Sequence, residues 1–214
     1  MIAVIVPIHK PDHWESCYQQ YAQQQHEDKC LIVVANGFDA SSILRSKNRP
    51  TVLATYTQVL GPGRARNEGL ALTRWFGKAD RFAFFDADDL YLPYYLTETN
   101  HYLDDYAACG KGSYVIRDEQ TGLTEVRSEG FGNRVSTGGL TGGTISGHLN
   151  KAVPFADVPV MEDASWAWDM RAAGHVLWCG SPDHYIKRYF GPGHHTHEMP
   201  LMEARFRPPT KTSP

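Results

Sequence analysis

Along the first hundred residues, short and nearly unbroken apolar runs alternate with longer segments that carry an apolar stripe. Residues 2–8 form such a run, the signature of a strand covered on both faces. Asp12, with Glu15 three residues on, reads as a capping box opening a helix. Residues 30–35 form a second buried strand ending at the Asn36-Gly37 turn, and residues 51–56 after Pro50 a third. Ala65, Gly69, Leu72 and Phe76 share one helical face after Gly61-Pro62-Gly63, and Gly77 stops that helix. Residues 81–85 are a fourth strand, and Pro93 starts a helix to about residue 107. Repeated strand–helix units of this length predict an α/β fold, a mostly parallel central sheet with helices on both faces.

The second half is patterned differently. Residues 113–116 and 123–127 flank Thr121-Gly122 and read as a hairpin. A glycine-rich stretch follows, Gly138-Gly139-Leu140-Thr141-Gly142-Gly143. A helix over residues 164–173 is closed by Gly174, with a strand at 175–179. Residues 206–214 read as a flexible tail. The 214 residues are expected to form one domain over 1–205, with a small antiparallel part in its second half.

A hydrophobic content of 42% excludes a disordered chain, and the net charge of −3 provides no global basic field for nucleic acid or anionic membrane. Four cysteines without C-x-x-C spacing point to buried thiols in a reducing compartment. The apolar run at residues 2–6 lacks a charged leader, and no run approaches a membrane span, so a cytoplasmic protein is expected.

The candidate chemistry lies in four places. Phe84-Phe85-Asp86-Ala87-Asp88-Asp89 puts three carboxylates at the end of a buried strand, where ligands of open α/β sheets bind. Either a hard divalent cation, Mn²⁺ or Mg²⁺, offsets them and bridges a diphosphate, or they form an acidic turn in which Asp89 caps a helix. Leu90 and Tyr91 stand where an EF-hand needs an oxygen ligand and glycine, which excludes that loop. Arg66 stands where a dinucleotide fingerprint needs its third glycine, leaving a helix start with Arg64, Arg66 and Asn67 in its first turn. Glu162-Asp163 precedes the 164–173 helix, where Asp163 is either an N-cap or a base facing an acceptor hydroxyl. Lys187 and Arg188 lead into Gly191-Pro192-Gly193-His194-His195-Thr196-His197, a loop with metal- and phosphate-binding residue types.

Val4-Ile5-Val6-Pro7-Ile8, Val33-Val34-Ala35-Asn36-Gly37, Gly63-Arg64-Ala65-Arg66-Asn67-Glu68-Gly69-Leu70 and Phe85-Asp86-Ala87-Asp88-Asp89 together resemble family 2 glycosyltransferases of the GT-A fold. Thr141-Gly142-Gly143 and Met161-Glu162-Asp163 are similar to that family's acceptor side. The resemblance implies a nucleotide-binding half over 1–108, an acceptor half over 109–205, and inverting, hexosyltransferase-type transfer from a nucleotide-sugar donor, a UDP-sugar foremost. It implies that Pro7, Ile8 and Asp39 line the base pocket and that Asn36 is among the donor-binding residues. Arg64, Arg66, Asn67, Ala87, Lys187 and Arg188 would approach the donor. Asp86 and Asp88 would hold Mn²⁺ or Mg²⁺ together with His194 or His195, the metal-binding D-x-D motif of the family. Asp163, beside Glu162, would be the base. Two other functions are compatible with the fold: a non-catalytic sugar-nucleotide or glycan-binding module, and a sugar nucleotidyltransferase. The latter needs a Gly-Arg-Lys loop after strand one that Ile8-His9-Lys10-Pro11 does not supply. Lys187, Arg188, Arg205, Arg207 and Lys211 outnumber Glu198 and Glu203 near the end, which leaves an anionic acceptor, nucleic acid included, compatible with the chain.

Overall fold

The side chains of the first strand alternate between two separate apolar clusters, so the sheet is built between two layers of helices. In the computed structural model, which describes residues 1–128, 140, 142–158, 162–180 and 183–190, the order begins β1 (Ile2–Ile8), α1 (Trp14–Gln23), β2 (Lys29–Asn36), α2 (Ser41–Arg45), β3 (Val52–Tyr56), α3 (Pro62–Phe76), β4 (Arg81–Phe84) and β5 (Leu90–Tyr91). It continues with α4 (Tyr95–Asp105), β6 (Ala108–Lys111), β7 (Ser113–Asp118), β8 (Thr124–Ser128), β9 (Ser146–His148), α5 (Glu162–Ala172), β10 (Leu177–Gly180) and β11 (Tyr185–Tyr189). Ile2, Val4, Val6 and Ile8 pack with Trp14 and Cys17 of α1, Ile43 of α2 and Tyr95 and Leu96 of α4. Ala3 and Ile5 pack on the other face with Leu70 of α3 and Trp166, Ala167 and Met170 of α5. Each fully buried Val or Ile in these layers contributes about 1.5–3 kcal/mol.

The main sheet has the order β10-β6-β9-β4-β1-β2-β3. All neighbours are parallel except β9, which is antiparallel to both β4 and β6. The carboxyl ends of β1, β2, β3, β4, β6 and β10 therefore share one edge, and the turn at Gly142–Thr144 leads into β9 at that edge. Gly69 lets α3 lie close on β1, because a Cβ there would be 2.2 Å from Ile5 Cγ2. Gly77 ends α3 in the left-handed conformation, φ 71°, donating its N–H to the Thr73 carbonyl.

Several expectations are corrected. Glu15 makes no capping box: its carboxylate accepts from Ser46 Oγ (2.6 Å) and Asn48 Nδ2 (2.7 Å), and α1 starts one residue after a 3-10 turn at Pro11–His13 without a side-chain cap. The expected antiparallel hairpin is β7–β8, and the smaller sheet, β5-β11-β7-β8, extends it with β11, which runs parallel to β7 and antiparallel to β5. The short elements α2, β5, β6, β9 and β11 are additions to the sequence reading. Among the described residues no helix is long and apolar enough to cross a membrane, and all four cysteines are buried free thiols.

Candidate active site

The aspartate turn after β4 is held from below by aromatic packing. Phe85 stacks on Tyr91 with ring centroids 3.8 Å apart, and Tyr95 meets both rings edge-on. The Tyr91 hydroxyl accepts the Asp86 N–H and donates to the Gly143 carbonyl, each at 2.7 Å. Ala87 is buried with Phe85 and Tyr91, whereas Asp86 and Asp88 on either side of it remain part-exposed. Asp89 caps no helix. Its buried carboxylate accepts from the Tyr185 hydroxyl and from the Arg188 N–H (3.0 Å), which pins β11 to the turn. Burial, and then the adjacent charge of Asp88, push Asp89 up to about 8.

Arg66, in the second turn of α3, joins this turn to the start of α5. Its Nη2 donates to Asp86 Oδ1 at 3.0 Å and its Nη1 to Glu162 Oε1. The guanidinium is buried between the rings of Phe84 and Phe155, 5.7 and 5.9 Å from their centroids. Burial raises both Asp86 and Glu162 above the usual carboxylate range, with Arg66 opposing the shift in each case. Asp163 accepts the Ala164 N–H at Oδ1 (2.8 Å) and the Gly142 N–H at Oδ2 (3.0 Å). Asp163 is the second residue of α5 and not the residue before the helix, so it is no N-cap; one oxygen accepts from the first turn of α5, and the other faces the glycine turn beside Arg66 and Asp86. The Gly142-Gly143 backbone lies directly on the cluster. A Cβ at 142 would be 2.6 Å from Arg66 Nη2, and one at 143 would be 2.7 Å from Asp86 Oδ2.

The remaining sequence candidates divide by what they touch. Asn36 is buried and grips the Leu60 backbone, accepting its N–H at 2.6 Å and donating to its carbonyl at 3.1 Å. Asn67 grips Phe155 in the same way, at 2.7 and 2.8 Å. Asp39 accepts the Ser41 N–H at the start of α2. Pro7 and Ile8 end β1, with Ile8 in the core and Pro7 partly exposed. Arg64 is exposed in the first turn of α3. Lys187 on β11 lies over the Tyr114 ring, 5.6 Å from its centroid, and its charge acts on Asp86 and Asp89. The Arg188 guanidinium pairs with Glu119 (3.0 Å) and covers Phe190. His194, His195 and His197, the tail at 206–214, and Gly138, Gly139, Thr141 and Met161 lie outside the described residues. Sequence reasoning missed Tyr91, Tyr185 and Glu119. Two tyrosines in apolar surroundings and one acid in a polar hairpin carry no signal that separates them from core and surface.

Asp86 and Asp88 suit a hard divalent cation. Asp88 accepts no hydrogen bond among the described residues, and carboxylate oxygens are the donors that Mg²⁺ and Mn²⁺ prefer. Among those residues no three of His, Cys, Asp and Glu gather into a complete cage. Two carboxylates with remaining positions for water and phosphate oxygens are the arrangement typical of nucleotide-binding Mg²⁺ sites.

No protein-family profile and no curated protein matches the sequence. Solved structures do match the fold. Staphylococcus aureus TarS 1–349 in complex with UDP-GlcNAc is similar over 91% of this chain and 60% of that one, with TM-score 0.65 and 15% identity. Mannosyltransferase PcManGT from Pyrobaculum calidifontis, in complex with GDP-Man and Mn²⁺, is similar over 92% of this chain and 58% of that one, with the same TM-score and identity. The chain thus spans about 60% of the length of these proteins and shares their GT-A-type α/β architecture.

Proposed function

We propose that the chain is a metal-dependent, inverting glycosyltransferase that moves a sugar from a nucleoside-diphosphate donor to an acceptor hydroxyl. One observation carries the reading. The aspartate turn of the first half and the Glu162-Asp163 pair of the second, far apart in sequence, meet at the carboxyl edge of the sheet through Arg66. The similar architecture of proteins bound to UDP-GlcNAc and to GDP-Man with Mn²⁺ supports a nucleotide-sugar donor.

On this reading residues 1–108 bind the nucleotide and residues 109–205 present the acceptor. Asp86 and Asp88 hold the cation, which when bound stabilises negative charge developing on the leaving diphosphate. Lys187 and the exposed Arg64, at the N-terminus of α3, add positive potential toward the same phosphates. Asp163 accepts the proton of the acceptor hydroxyl as its oxygen attacks the anomeric carbon from the side opposite the leaving group. Its two backbone hydrogen bonds hold the carboxylate in one orientation and leave lone pairs on both oxygens for that proton.

A panel of nucleotide sugars with Mn²⁺, UDP- and GDP-linked, scored by thermal stabilisation and slow donor hydrolysis, tests the proposal. No stabilisation by any member refutes it. The backbone bonds of Asp163 also fit a purely structural acid at the start of α5, and Asp163→Asn separates the two. Loss of about 10²-fold or more in turnover with the nucleotide-dependent stabilisation kept supports the base. Normal turnover removes it.

A further inference from the structure

The guanidinium of Arg66 has no face free for a donor. The side chain is 5% exposed, Nη1 and Nη2 are committed to Glu162 and Asp86, and Nε is buried without a partner. We infer that Arg66 is a positioning residue, bridging Asp86 and Glu162 so that the start of α5 is held in register with the aspartate turn, and that it does not bind the donor phosphates. The inference rests on the proposed transferase reading for its kinetic consequence and on geometry alone for its structural one.

Three features of the surroundings support it. The bridged carboxylates lie 20 and 96 residues from Arg66, so one side chain ties α3, the aspartate turn and α5 together. Glu162 and Asp163 are consecutive in the first turn of α5, so anchoring Glu162 limits how far the Asp163 carboxylate can drift. The third restraint is the Gly142 N–H on Asp163 Oδ2, and the Gly142 Cα sits against Arg66 itself, where even a methyl group would be 2.6 Å from Nη2. The planar fork of arginine meets two carboxylates at once, whereas the single ammonium of lysine satisfies one or the other. Among the described residues near the cluster, Arg64, exposed two residues earlier in α3, and part-exposed Lys187 are cations that an anionic ligand could reach.

Arg66→Lys tests the inference in the full chain. Hydrogen exchange of the protein without nucleotide is expected to rise about tenfold or more at amides of residues 142–145 and 162–166, as local opening becomes easier. Kinetics with the donor found in the panel are expected to show kcat lowered by about 30-fold or more with donor KM within about threefold, the pattern of a lost transition-state alignment. Affinity for UDP or GDP with Mn²⁺, measured by titration calorimetry, is expected to fall by less than kcat does, since lysine keeps a positive charge beside Asp86. Glu162→Gln, which leaves the Arg66–Asp86 pair in place, is expected to raise exchange at 162–166 in the same direction and serves if Arg66→Lys does not fold. Unchanged exchange at both segments overturns the inference, as does a donor KM raised about tenfold with kcat kept, the pattern of a lost phosphate ligand. If the wild type acts on no nucleotide sugar, the transferase proposal falls while the exchange measurement still decides the role of Arg66.

Discussion

Replacing Gly143 by alanine tests whether the site depends on backbone lying directly against its carboxylates. The added Cβ would be 2.7 Å from Asp86 Oδ2 and 2.8 Å from both Asp86 Cγ and Tyr91 Oη. These separations are roughly 0.7 Å or more inside an ordinary contact of about 3.5 Å. Relief is available in two directions. Moving Asp86 away lengthens its 3.0 Å bond to Arg66, and moving the 143 backbone away breaks the 2.7 Å bond that its carbonyl accepts from Tyr91. Either shift falls in the range of about 1–3 kcal/mol for overpacking a filled site. At about 2–4 °C per kcal/mol for a chain of this size, Gly143→Ala should lower Tm by roughly 2–12 °C. It should also weaken the stabilisation by Mn²⁺ and nucleotide, because Asp86 is displaced although no titratable group has been removed. Thermal unfolding of parent and variant, each with and without Mn²⁺ and UDP-GlcNAc or GDP-Man, measures both effects. A variant that melts within about 1 °C of the parent and responds to the ligands equally refutes the claim that this glycine is required by close approach.

Asp88→Ala should abolish nucleotide stabilisation that requires Mn²⁺ while leaving the unliganded melting temperature nearly unchanged, since Asp88 accepts no hydrogen bond among the described residues. A retained Mn²⁺-dependent shift would move the cation elsewhere. Burial pushes Cys17 and Cys109 up to about 12 and Cys30 up to about 11, and raises Cys179 as well, so the native chain at pH 8 should react slowly with a thiol reagent. The denatured chain should titrate four thiols, and fewer would reveal a disulfide.

What the sequence made legible follows from how each element buries its surface. β1 and β2 are covered on both faces, so nearly every position is apolar and the runs stand out. β6 and β9 are as buried but consist of Ala-Cys-Gly-Lys and Ser-Gly-His, because large neighbours occupy the space above them. A Cβ on Gly147 of β9 would be 3.1 Å from the Phe82 ring. Small residues beneath a phenylalanine carry no period that a pattern search detects. The capping box failed for a related reason: Glu15 found two side-chain donors across the fold, at Ser46 and Asn48, in place of its own helix start. The acidic motifs were visible as local clusters. The partners of Asn36, Arg66 and Asn67 were not, because each pairs with residues that only the folded sheet edge brings near.

The charge balance of the cluster explains why its parts belong together. Asp86, Asp88, Glu162 and Asp163 face Arg66 and Lys187, and burial pushes Asp89 up to about 8, toward its neutral form. Among the described residues, and apart from solvent-exposed Arg64, four carboxylates against two cations leave an excess of two negative charges at one edge of the sheet. Arg188 does not relieve it, since Glu119 already pairs with its guanidinium. At an effective dielectric near 20, two like charges about 4 Å apart repel by about 4 kcal/mol, so such an excess is costly where water is scarce. Protonation offsets part of it, which is the sense of the upward shifts of Asp86 and Glu162. A divalent cation held by Asp86 and Asp88, on the proposed reading, offsets all of it. A diphosphate would then enter a neutral site instead of an anionic one. Electrostatics alone therefore order the two ligands: nucleotide should bind weakly without the cation, and the cation should raise its affinity more than any single side chain does.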